Sequence, residues 1–550
     1  MKKWTILNKL KNQKSKIKID QIVKILLANR GIKTKKEVKE FLNPPDPYKL
    51  TAKDLGINPK QVAGAVKRIK MAISKKEKII IYGDYDTDGV CATAILWETL
   101  HKLGAEVMPF IPKREEGYGM RIERIDEFAK DKIGLIITAD HGIVALKQVE
   151  HAQKIGIDVI VTDHHLLGAK IPKAKAIVHT TKLSGSGVSW FLATRLGKPG
   201  LDLVTIGTVV DVMPLIGVNR CLVYHGLSEV RKTKRLGLRQ LYKAAGIIPE
   251  NIGTYEIGFI IGPRLNAAGR IEDPMESLRL LCTKDVEKAA LLARKIDQQN
   301  RERQLLTEQM TIHARDLWLT QDGKGKLIFV SHQSYEEGIV GLIAGKLVDE
   351  FYRPAIIVAQ GEKYSRASAR SINGFNIVEA IRICADILGP HGGHALAAGF
   401  TVETARIEEL KTRLSQFTER ELDEEKLTPV LKIDLELDFS DINLELFENL
   451  KKLEPFGFAN PEPVFLSRNL TITDAKVVGG DGKHLKLRVA CPLSLVTFDA
   501  IGFGMGSIFQ ELSPDEELDL VYTLTCDQWN NEKRLQLKIK DLRASDGERI

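Results

Sequence analysis

Cysteine is scarce in this chain of 550 residues, and no long apolar run occurs. The six cysteines are scattered and include no C-x-x-C pair: Cys91, Cys221, Cys282, Cys384, Cys491 and Cys526. This spacing argues against a zinc module and a disulfide framework, and favours buried thiols in a reducing compartment. The amino terminus lacks the apolar core of a secretory signal, and no uncharged run reaches membrane-spanning length. We therefore expect a cytoplasmic protein without a membrane partner.

Charge is unevenly distributed along the chain. The first 80 residues contain 22 Lys plus Arg against 6 Asp plus Glu, so the remainder carries −7 of a total formal charge of +9. A basic segment on an acidic body suggests a polyanionic substrate for the former and metal ions for the latter. Lysine-rich helices that merely face solvent would give the same composition, so both interpretations stay open.

The length exceeds what one core usually supports, which predicts three or four domains. From residue 78 to about 178, short apolar runs alternate with amphipathic helical segments, a pattern that predicts a parallel sheet covered on both faces. Residues 274–318 are predicted to form one long connecting helix, and KLIFV and PAIIVA to be strands of a second α/β unit. From Pro429 a period-two alternation predicts a small antiparallel barrel or sandwich.

Three acidic clusters follow apolar runs: GDYDTDG (83–89), TADHG (138–142) and TDHH (162–165). The carboxyl ends of parallel strands converge on one crevice, so these clusters could bring together Asp84, Asp86, Asp88, Asp140, Asp163, His164 and His165. Carboxylates this close need a cation, and oxygen with imidazole ligands suits Mn²⁺ or Mg²⁺. The sequence therefore predicts a metal-dependent phosphotransferase or hydrolase.

GDYDTDG and TDHH together resemble motifs of the DHH phosphoesterase superfamily. Further segments resemble one branch, the RecJ-type single-stranded-DNA-specific exonucleases: GTVVDVMPL (207–215), GPRLNAAGRI (262–271), ASARSINGF (367–375), HGGHALAAGF (391–400) and LEPFGFANPEPVF (453–465). The resemblance implies an α/β fold, with a parallel-sheet DHH domain, a long helix to a second smaller α/β domain, and a carboxyl-terminal all-β oligonucleotide-binding barrel. The expected ranges are a basic segment 1–60, the DHH domain 61–225, a helical connector 226–320, the second α/β domain 321–425 and the barrel 426–550.

The same resemblance implies two metal ions, Mn²⁺ or Mg²⁺. One set of ligands would be Asp84, Asp86 and Asp140, and the other Asp88, Asp140, His164 and Asp211, with Asp140 bridging. Asp86 and Asp140 would thus be catalytic. His165 would be left to contact the phosphate or give a proton to the leaving oxygen, and Asp163 would orient a histidine.

A basic clamp for the 5′ phosphate is implied as well. Its expected members are Arg114, Arg264, Arg270, Ser368, Arg370, Gly392, Gly393 and His394. Arg264 could equally form a buried ion pair between lobes. In the barrel, Phe456, Phe465, Lys486 and Trp529 could contact single-stranded bases, although most such aromatics belong to cores.

The chain departs from the family pattern at several positions near the expected site: His141, His179, Thr180, Tyr335, Glu336 and Ala367. We expect His141 to pack beside the site or hydrogen-bond to it rather than bind metal. Glu336 would repel a phosphate at a position where relatives carry a histidine.

The preferred interpretation is an exonuclease that degrades single-stranded DNA with a 5′ phosphate in the 5′ to 3′ direction, releasing nucleoside monophosphates in repair and recombination. A monomer that cooperates with a helicase and a single-stranded-DNA-binding protein is expected. The alternatives are a DHH enzyme acting on oligoribonucleotides, cyclic dinucleotides or polyphosphate, and a non-catalytic replication or repair scaffold. LEPFGFANPEPVF argues against the DHH enzyme acting on short substrates, and the complete set of acidic residues argues against the scaffold.

Overall fold

The structure is a computed structural model that describes residues 2–8, 17–117, 119–271, 273–321, 323–492, 496–513, 517–529 and 532–545. Contacts group the chain into two units. The barrel unit spans Met1–Leu50, Val212–His225 and Val430–Ile550, and the α/β unit spans Thr51–Asp211 and Gly226–Pro429. The finer division into five ranges stays a prediction. No helix in the described ranges has the length and apolarity to cross a membrane.

The α-helices of the described residues are numbered in chain order. They are α1 (Ile19–Asn29), α2 (Lys35–Leu42), α3 (Ala52–Leu55), α4 (Pro59–Ser74), α5 (Thr87–Lys102), α6 (Ile122–Lys130), α7 (Leu146–Lys154), α8 (Gly185–Thr194), α9 (Asp202–Val210), α10 (Gly217–Arg231), α11 (Leu236–Ala245), α12 (Thr254–Glu256), α13 (Gly262–Ile271), α14 (Met275–Cys282), α15 (Val286–Gln321), α16 (Val340–Phe351), α17 (Ile377–Arg382), α18 (Ile407–Glu421) and α19 (Leu444–Lys451).

The strands of the described residues are numbered likewise. They are β1 (Lys3–Ile6), β2 (Lys78–Gly83), β3 (Val107–Phe110), β4 (Ile133–Ala139), β5 (Asp158–Asp163), β6 (Ala176–His179), β7 (Ile328–His332), β8 (Ala355–Ala359), β9 (Tyr364–Arg370), β10 (Leu388–His394), β11 (Ala397–Glu403), β12 (Val430–Ile433), β13 (Leu435–Glu436), β14 (Phe465–Val478), β15 (His484–Ala490), β16 (Thr497–Gly502), β17 (Glu517–Trp529) and β18 (Glu532–Ala544).

A parallel sheet forms the first half of the α/β unit, in the order β3-β2-β4-β5-β6. Its central strands are continuous apolar runs because helices cover both faces, as the alternating sequence pattern predicts. Gly104 and Gly156 end the helices that precede β3 and β5 with positive φ angles, as expected for helix-ending glycines. The arrangement places the ends of β2, β4 and β5, and thus all three acidic clusters, at one edge.

The second sheet of the α/β unit is mixed, in the order β10-β11-β9-β8-β7. Only β7 and β8 pair in parallel in it, and the remaining neighbours are antiparallel. The prediction of one helix over 274–318 was wrong, because α14 ends at Cys282 and α15 begins at Val286. Asp285 causes the break: its carboxylate accepts hydrogen bonds from the Glu287 and Lys288 amides and so caps α15.

The barrel unit contains the predicted carboxyl-terminal barrel. Five strands close in the order β14-β15-β16-β18-β17, with β17 pairing back to β14. This order, with β16 and β18 parallel, is that of an oligonucleotide-binding barrel. Phe465 is fully buried in its core and therefore is not available to bases, and Phe456 packs partly buried against that core. Lys486 lies 3.4 Å from Asp499, and the Trp529 side chain lies outside the described residues.

Candidate metal centre

The GDYDTDG segment is a tight turn from β2 into α5. Asp86 is the N-cap of α5 and accepts a hydrogen bond from the Gly89 amide at 2.9 Å. Asp84 precedes this cap, and Asp88 lies in the first turn of the helix. A Cβ at Gly89 would lie 2.6 Å from the Cβ of Asp84, so the last glycine of the motif lets the strand end and the helix start meet. The turn therefore gathers three carboxylates within five residues.

Asp140 follows β4 in the left-handed region, with φ of 71°. This conformation is unusual for a residue with a Cβ and marks a position that the surroundings hold in place. Its Oδ1 atom lies 3.2 Å from His164 Nε2, and His164 Nε2 lies 3.7 Å from Asp211 Oδ2 at the end of α9. GTVVDVMPL is thus helical only to Val210, and the helix end brings Asp211 to the cluster.

Ligand atoms converge in three overlapping groups, in each of which they lie within 4.8 Å of one another. The groups are Asp84, Asp86 and Asp140; Asp88, His164 and Asp211; and Asp140, His164 and His165. Buried oxygens of four carboxylates have no hydrogen-bond partner in the described part of the chain: Asp84 Oδ1, Asp88 Oδ2, Asp140 Oδ1 and Asp211 Oδ2. Buried acceptors without donors are costly, and hard divalent cations bind such an oxygen and imidazole set. The residues therefore fit the two ions that the resemblance implies.

The electrostatics of the cluster also indicate a missing positive charge. Burial, followed by the charges of neighbouring carboxylates, raises the pKa of Asp84 and Asp140 well above the usual range. For Asp211, burial and the charges of Asp88 and Asp86 raise the pKa to about 9. Without cations the cluster would therefore hold protons at neutral pH, and binding of cations would release them.

Asp163 has a different environment from the other carboxylates. Its Oδ1 accepts hydrogen bonds from the His164 and His165 amides and from His165 Nδ1, and its Oδ2 accepts one from the Ile143 amide. Burial opposes ionisation, yet these hydrogen bonds and the charge of His165 lower its pKa to about 2. For His165, burial is likewise outweighed by the hydrogen bond and charge of Asp163, which raise its pKa. Asp163 thus orients His165 and favours its protonated form.

His141, which departs from the family pattern, belongs to none of the three ligand groups. Its Nε2 donates to the Tyr82 carbonyl at 2.8 Å, and its ring packs edge-to-face on the Tyr82 ring. Burial lowers its pKa to about 4, so it is neutral at physiological pH. His179, the second departure, donates from Nε2 to the His165 carbonyl at 2.7 Å and supports the TDHH turn.

The expected clamp residues are dispersed over the α/β unit. Ser368 and Arg370 lie together on β9, where Arg370 donates to Ser368 Oγ at 3.2 Å and no ion pair to Arg370 occurs among the described residues. The segment Gly392–Gly393–His394 lies exposed on the edge strand β10. Arg114 lies over the Tyr85 ring at 5.3 Å.

Two other expected clamp residues, Arg264 and Arg270, are in different situations. Arg264 forms an ion pair with Asp297 at 2.9 Å, between α13 and α15 rather than between lobes, and a contact of Arg264 with the substrate stays a prediction. Arg270 lies in α13, and its side chain lies outside the described residues.

Several residues of the site carry no acidic or basic signature and were missed in the sequence. Asn266 Oδ1, in GPRLNAAGRI, accepts a hydrogen bond from the Thr87 amide at 2.8 Å, and a Cβ at Gly269 would lie 2.5 Å from the Tyr85 carbonyl. The Ser186 amide donates to Asp88 Oδ1. A Cβ at Gly185 would lie 2.1 Å from Asp140 Oδ1. These contacts could be found only from the fold, because their partners are distant in sequence.

Comparison with known proteins identifies three family domains in the chain. Family models match the DHH family, N-terminal domain at residues 78–208, the DHHA1 domain at 324–420 and the RecJ OB domain at 433–541. The single-stranded-DNA-specific exonuclease RecJ of Bacillus subtilis is 37% identical over 98% of this chain and 70% of its own length. RecJ of Thermus thermophilus is 34% identical over 92% of this chain and 73% of its own. A crystal structure of RecJ from Thermus thermophilus in complex with Mn²⁺ superposes with a TM-score of 0.81 and 30% identity, covering 98% of this chain and 79% of that one.

A DHH domain followed by a DHHA1 domain makes the α/β unit that of a DHH phosphoesterase, a class of hydrolase. The similarity over nearly the whole length is more specific. This chain belongs to the RecJ family of single-stranded-DNA-specific exonucleases.

Proposed function

We propose that this chain is a metal-dependent exonuclease that degrades single-stranded DNA from the 5′ end and releases nucleoside 5′-monophosphates in repair and recombination. The observation that carries the proposal is the convergence of three ligand groups at one sheet edge, with Asp140 shared between two of them. An oligonucleotide-binding barrel in the same chain favours long strands over dinucleotides or polyphosphate. Because the carboxylate set is complete, a non-catalytic scaffold is disfavoured.

The ligand groups support an assignment of residues to two Mn²⁺ or Mg²⁺ ions. Asp84, Asp86 and Asp140 would hold one ion, and Asp88, Asp140, His164 and Asp211 the other. When bound, such a pair lowers the pKa of a water molecule and stabilises charge on the reacting phosphate. Asp140 would belong to both ligand sets, and Gly185 and the end of β4 leave its carboxylate little freedom.

His165 is the residue proposed to act on the leaving group. The hydrogen bond from Nδ1 to Asp163 orients the other nitrogen, Nε2, and together with the charge of Asp163 outweighs burial and raises the pKa of His165, which favours the protonated imidazole. From there it can hydrogen-bond the phosphate or donate a proton to the departing 3′ oxygen. Asp163 acts through His165 and is a positioning residue.

The residues proposed to hold the 5′ phosphate are Ser368 and Arg370 on β9, the exposed Gly392–Gly393–His394 segment, Arg114 and Arg270. Burial lowers the pKa of Arg370, as expected for a guanidinium without a carboxylate neighbour, and a phosphate would supply the opposite charge. We further infer that the protein acts as a cytoplasmic monomer together with a helicase and a single-stranded-DNA-binding protein. The six free cysteines fit a reducing compartment.

Digestion of three 5′-phosphorylated substrates with Mn²⁺ tests the proposal: a single strand of about 20 nucleotides, the matching duplex and a dinucleotide. Rapid release of mononucleotides from the single strand is expected, with a loss of more than about 10²-fold in Asp86→Ala, since a proposed metal ligand is removed and loss of even a supporting residue costs about 10- to 100-fold. Asp349→Ala, an exposed aspartate on α16, is the matched control and should retain full activity. Preference for the dinucleotide would instead indicate an oligoribonuclease-type enzyme, and absence of hydrolysis of all three would refute the proposal.

A further inference from the structure

Two exposed aromatic side chains lie one helical turn apart at the start of the helix that carries GPRLNAAGRI. Tyr255 and Phe259 expose 63% and 68% of their surface. Their ring centroids are 5.0 Å apart, with the planes 27° from parallel. Large aromatic residues usually bury most of their surface. An exposed stacked pair therefore indicates a contact surface for something that is bound.

The helix around this pair is irregular and lies against the proposed metal site. A π-helical turn, Ile257–Ile261, connects α12 to α13 without a break, and such turns are frequent at functional sites. A Cβ at Gly258 would lie 3.9 Å from Val209, and one at Gly262 would lie 2.4 Å from Val210. Val210 directly precedes Asp211, so the residue next to Phe259 packs on the segment that presents a proposed metal ligand.

The far end of the same helix contacts the GDYDTDG turn through Asn266, which accepts from the Thr87 amide. With a rise of about 1.5 Å per residue, Asn266 lies about 10 Å along the axis from Phe259 and about 16 Å from Tyr255. One strand of nucleic acid advances about 3.4 Å per nucleotide when stacked. About three to five stacked nucleotides would span this length of helix between the aromatic pair and the residue that contacts the metal turn.

The charge beside the pair suits a polyanion. Arg264 and Arg301 share the single carboxylate of Asp297, each at 2.9 Å. Arg264 also donates to the Ile260 carbonyl, so its guanidinium lies beside the residue that follows Phe259. Arg303, two residues beyond Arg301, donates to Asn300 and forms no ion pair with any described residue. Arg303 is buried, so the group of Arg264, Arg301 and Asp297 leaves one net positive charge beside the pair, and single-strand sites combine such charge with aromatic rings.

We propose that Tyr255 and Phe259 form a stacking platform for bases of the substrate strand, about three to five nucleotides from the phosphodiester that is cut. This inference rests on the proposed single-strand nuclease function and adds where the strand is held. Aromatic rings stack on every base, so the platform contributes affinity without sequence preference. It also explains why a short substrate would be held less well, since a dinucleotide does not reach it.

Steady-state kinetics on two 5′-phosphorylated substrates, a strand of about 20 nucleotides and a dinucleotide, test the platform in the full-length protein with Mn²⁺. Tyr255→Ala and Phe259→Ala each remove one ring on which a base could stack. Each substitution should raise KM for the long strand by a factor between about 5 and 150. The constants for the dinucleotide should not change. Phe259→Trp should behave as wild type, whereas Phe259→Leu, which keeps the apolar contact but not the ring, should behave as Phe259→Ala.

Tyr364→Ala is the matched control, because Tyr364 is also an exposed aromatic, with 54% of its surface accessible, at the end of β9 remote from Arg370. It should leave both substrates unaffected. An unchanged KM for the long strand in the Tyr255→Ala/Phe259→Ala double variant would overturn the inference and point to another occupant, such as a protein partner. An equal loss on the dinucleotide would also overturn it, because it would indicate a distorted metal site. If wild type fails to cut the long strand, the proposed function itself is wrong.

Discussion

Substitution of Gly185 by alanine tests how tightly the fold holds the shared carboxylate. Gly185 is the first residue of α8, and a Cβ there would lie 2.1 Å from Asp140 Oδ1 and 2.4 Å from Asp140 Cβ. Real Cβ contacts are essentially never this short, so the carboxylate or the start of α8 must move by about 1 Å to restore ordinary contact distances of about 3.5 Å. Asp140 cannot simply rotate away without losing its place among the ligands.

The expected loss is large in activity and moderate in stability. A displacement of about 1 Å at a reacting centre costs on the order of 10²-fold in rate, and overpacking a buried site costs about 1–3 kcal/mol. Gly185→Ala should therefore lower kcat on single-stranded DNA by about two orders of magnitude at saturating Mn²⁺, while the protein still folds. The assay is mononucleotide release, paired with thermal unfolding of the same preparation.

Gly345→Ala provides the control. Gly345 lies within α16, and no atom lies within 4 Å of a Cβ added there, so this change should leave activity intact and add up to about 1 kcal/mol of helix stability. If Gly185→Ala keeps activity and Mn²⁺ affinity within about threefold of wild type, the free-energy change is less than about 1 kcal/mol. Asp140 would then not be a ligand that its surroundings hold tightly.

Three further predictions concern neighbouring groups. His141→Ala should bind as much Mn²⁺ and turn over as fast as wild type but lose about 1–3 kcal/mol of stability, since the Tyr82 carbonyl loses its donor; loss of one ion, measured by metal analysis, would make His141 a ligand. Asn266→Ala should lower activity in the same digestion assay because the Thr87 amide in the metal turn is left unpaired, and wild-type rates would refute a positioning role. The difference in melting temperature between chelated and Mn²⁺-saturated protein should widen as pH rises from about 4 towards 9. The metal-free folded state binds more protons than the unfolded chain, through carboxyls such as Asp211 with its pKa of about 9, so the metal-free protein loses stability over this range. A constant difference would contradict the raised pKa.

The sequence predicted the features that repeat with a clear period. Apolar runs ending in carboxylates gave the parallel sheet and its acidic edge, because burial on both faces requires continuous apolar strands. The period-two pattern gave the barrel. The long connector was misjudged because Thr283 and Asp285 suit a helix surface as well as a cap, and only the hydrogen bonds to the Glu287 and Lys288 amides decide between them.

The sequence predicted those site residues whose type indicates their chemistry, and it missed those whose role depends on position alone. Carboxylates and histidines indicate a cation site, but Gly185 and Asn266 gain their roles from partners that the fold brings close. The phosphate contact expected for Arg264 could not be judged from GPRLN, because its partner Asp297 lies 33 residues away. Tyr255 and Phe259 resemble core residues in sequence, and only their exposure separates them from the core.

Asp140 is the residue proposed to be shared by two ions. Titration of the metal-free protein with Mn²⁺, followed by electron paramagnetic resonance and metal analysis, tests this proposal most directly. We expect two Mn²⁺ per chain with a spin-coupled signal, and in Asp140→Asn a loss of that coupling together with weaker binding of both ions. One ion per chain, or two uncoupled ions that Asp140→Asn leaves unaffected, would contradict the account.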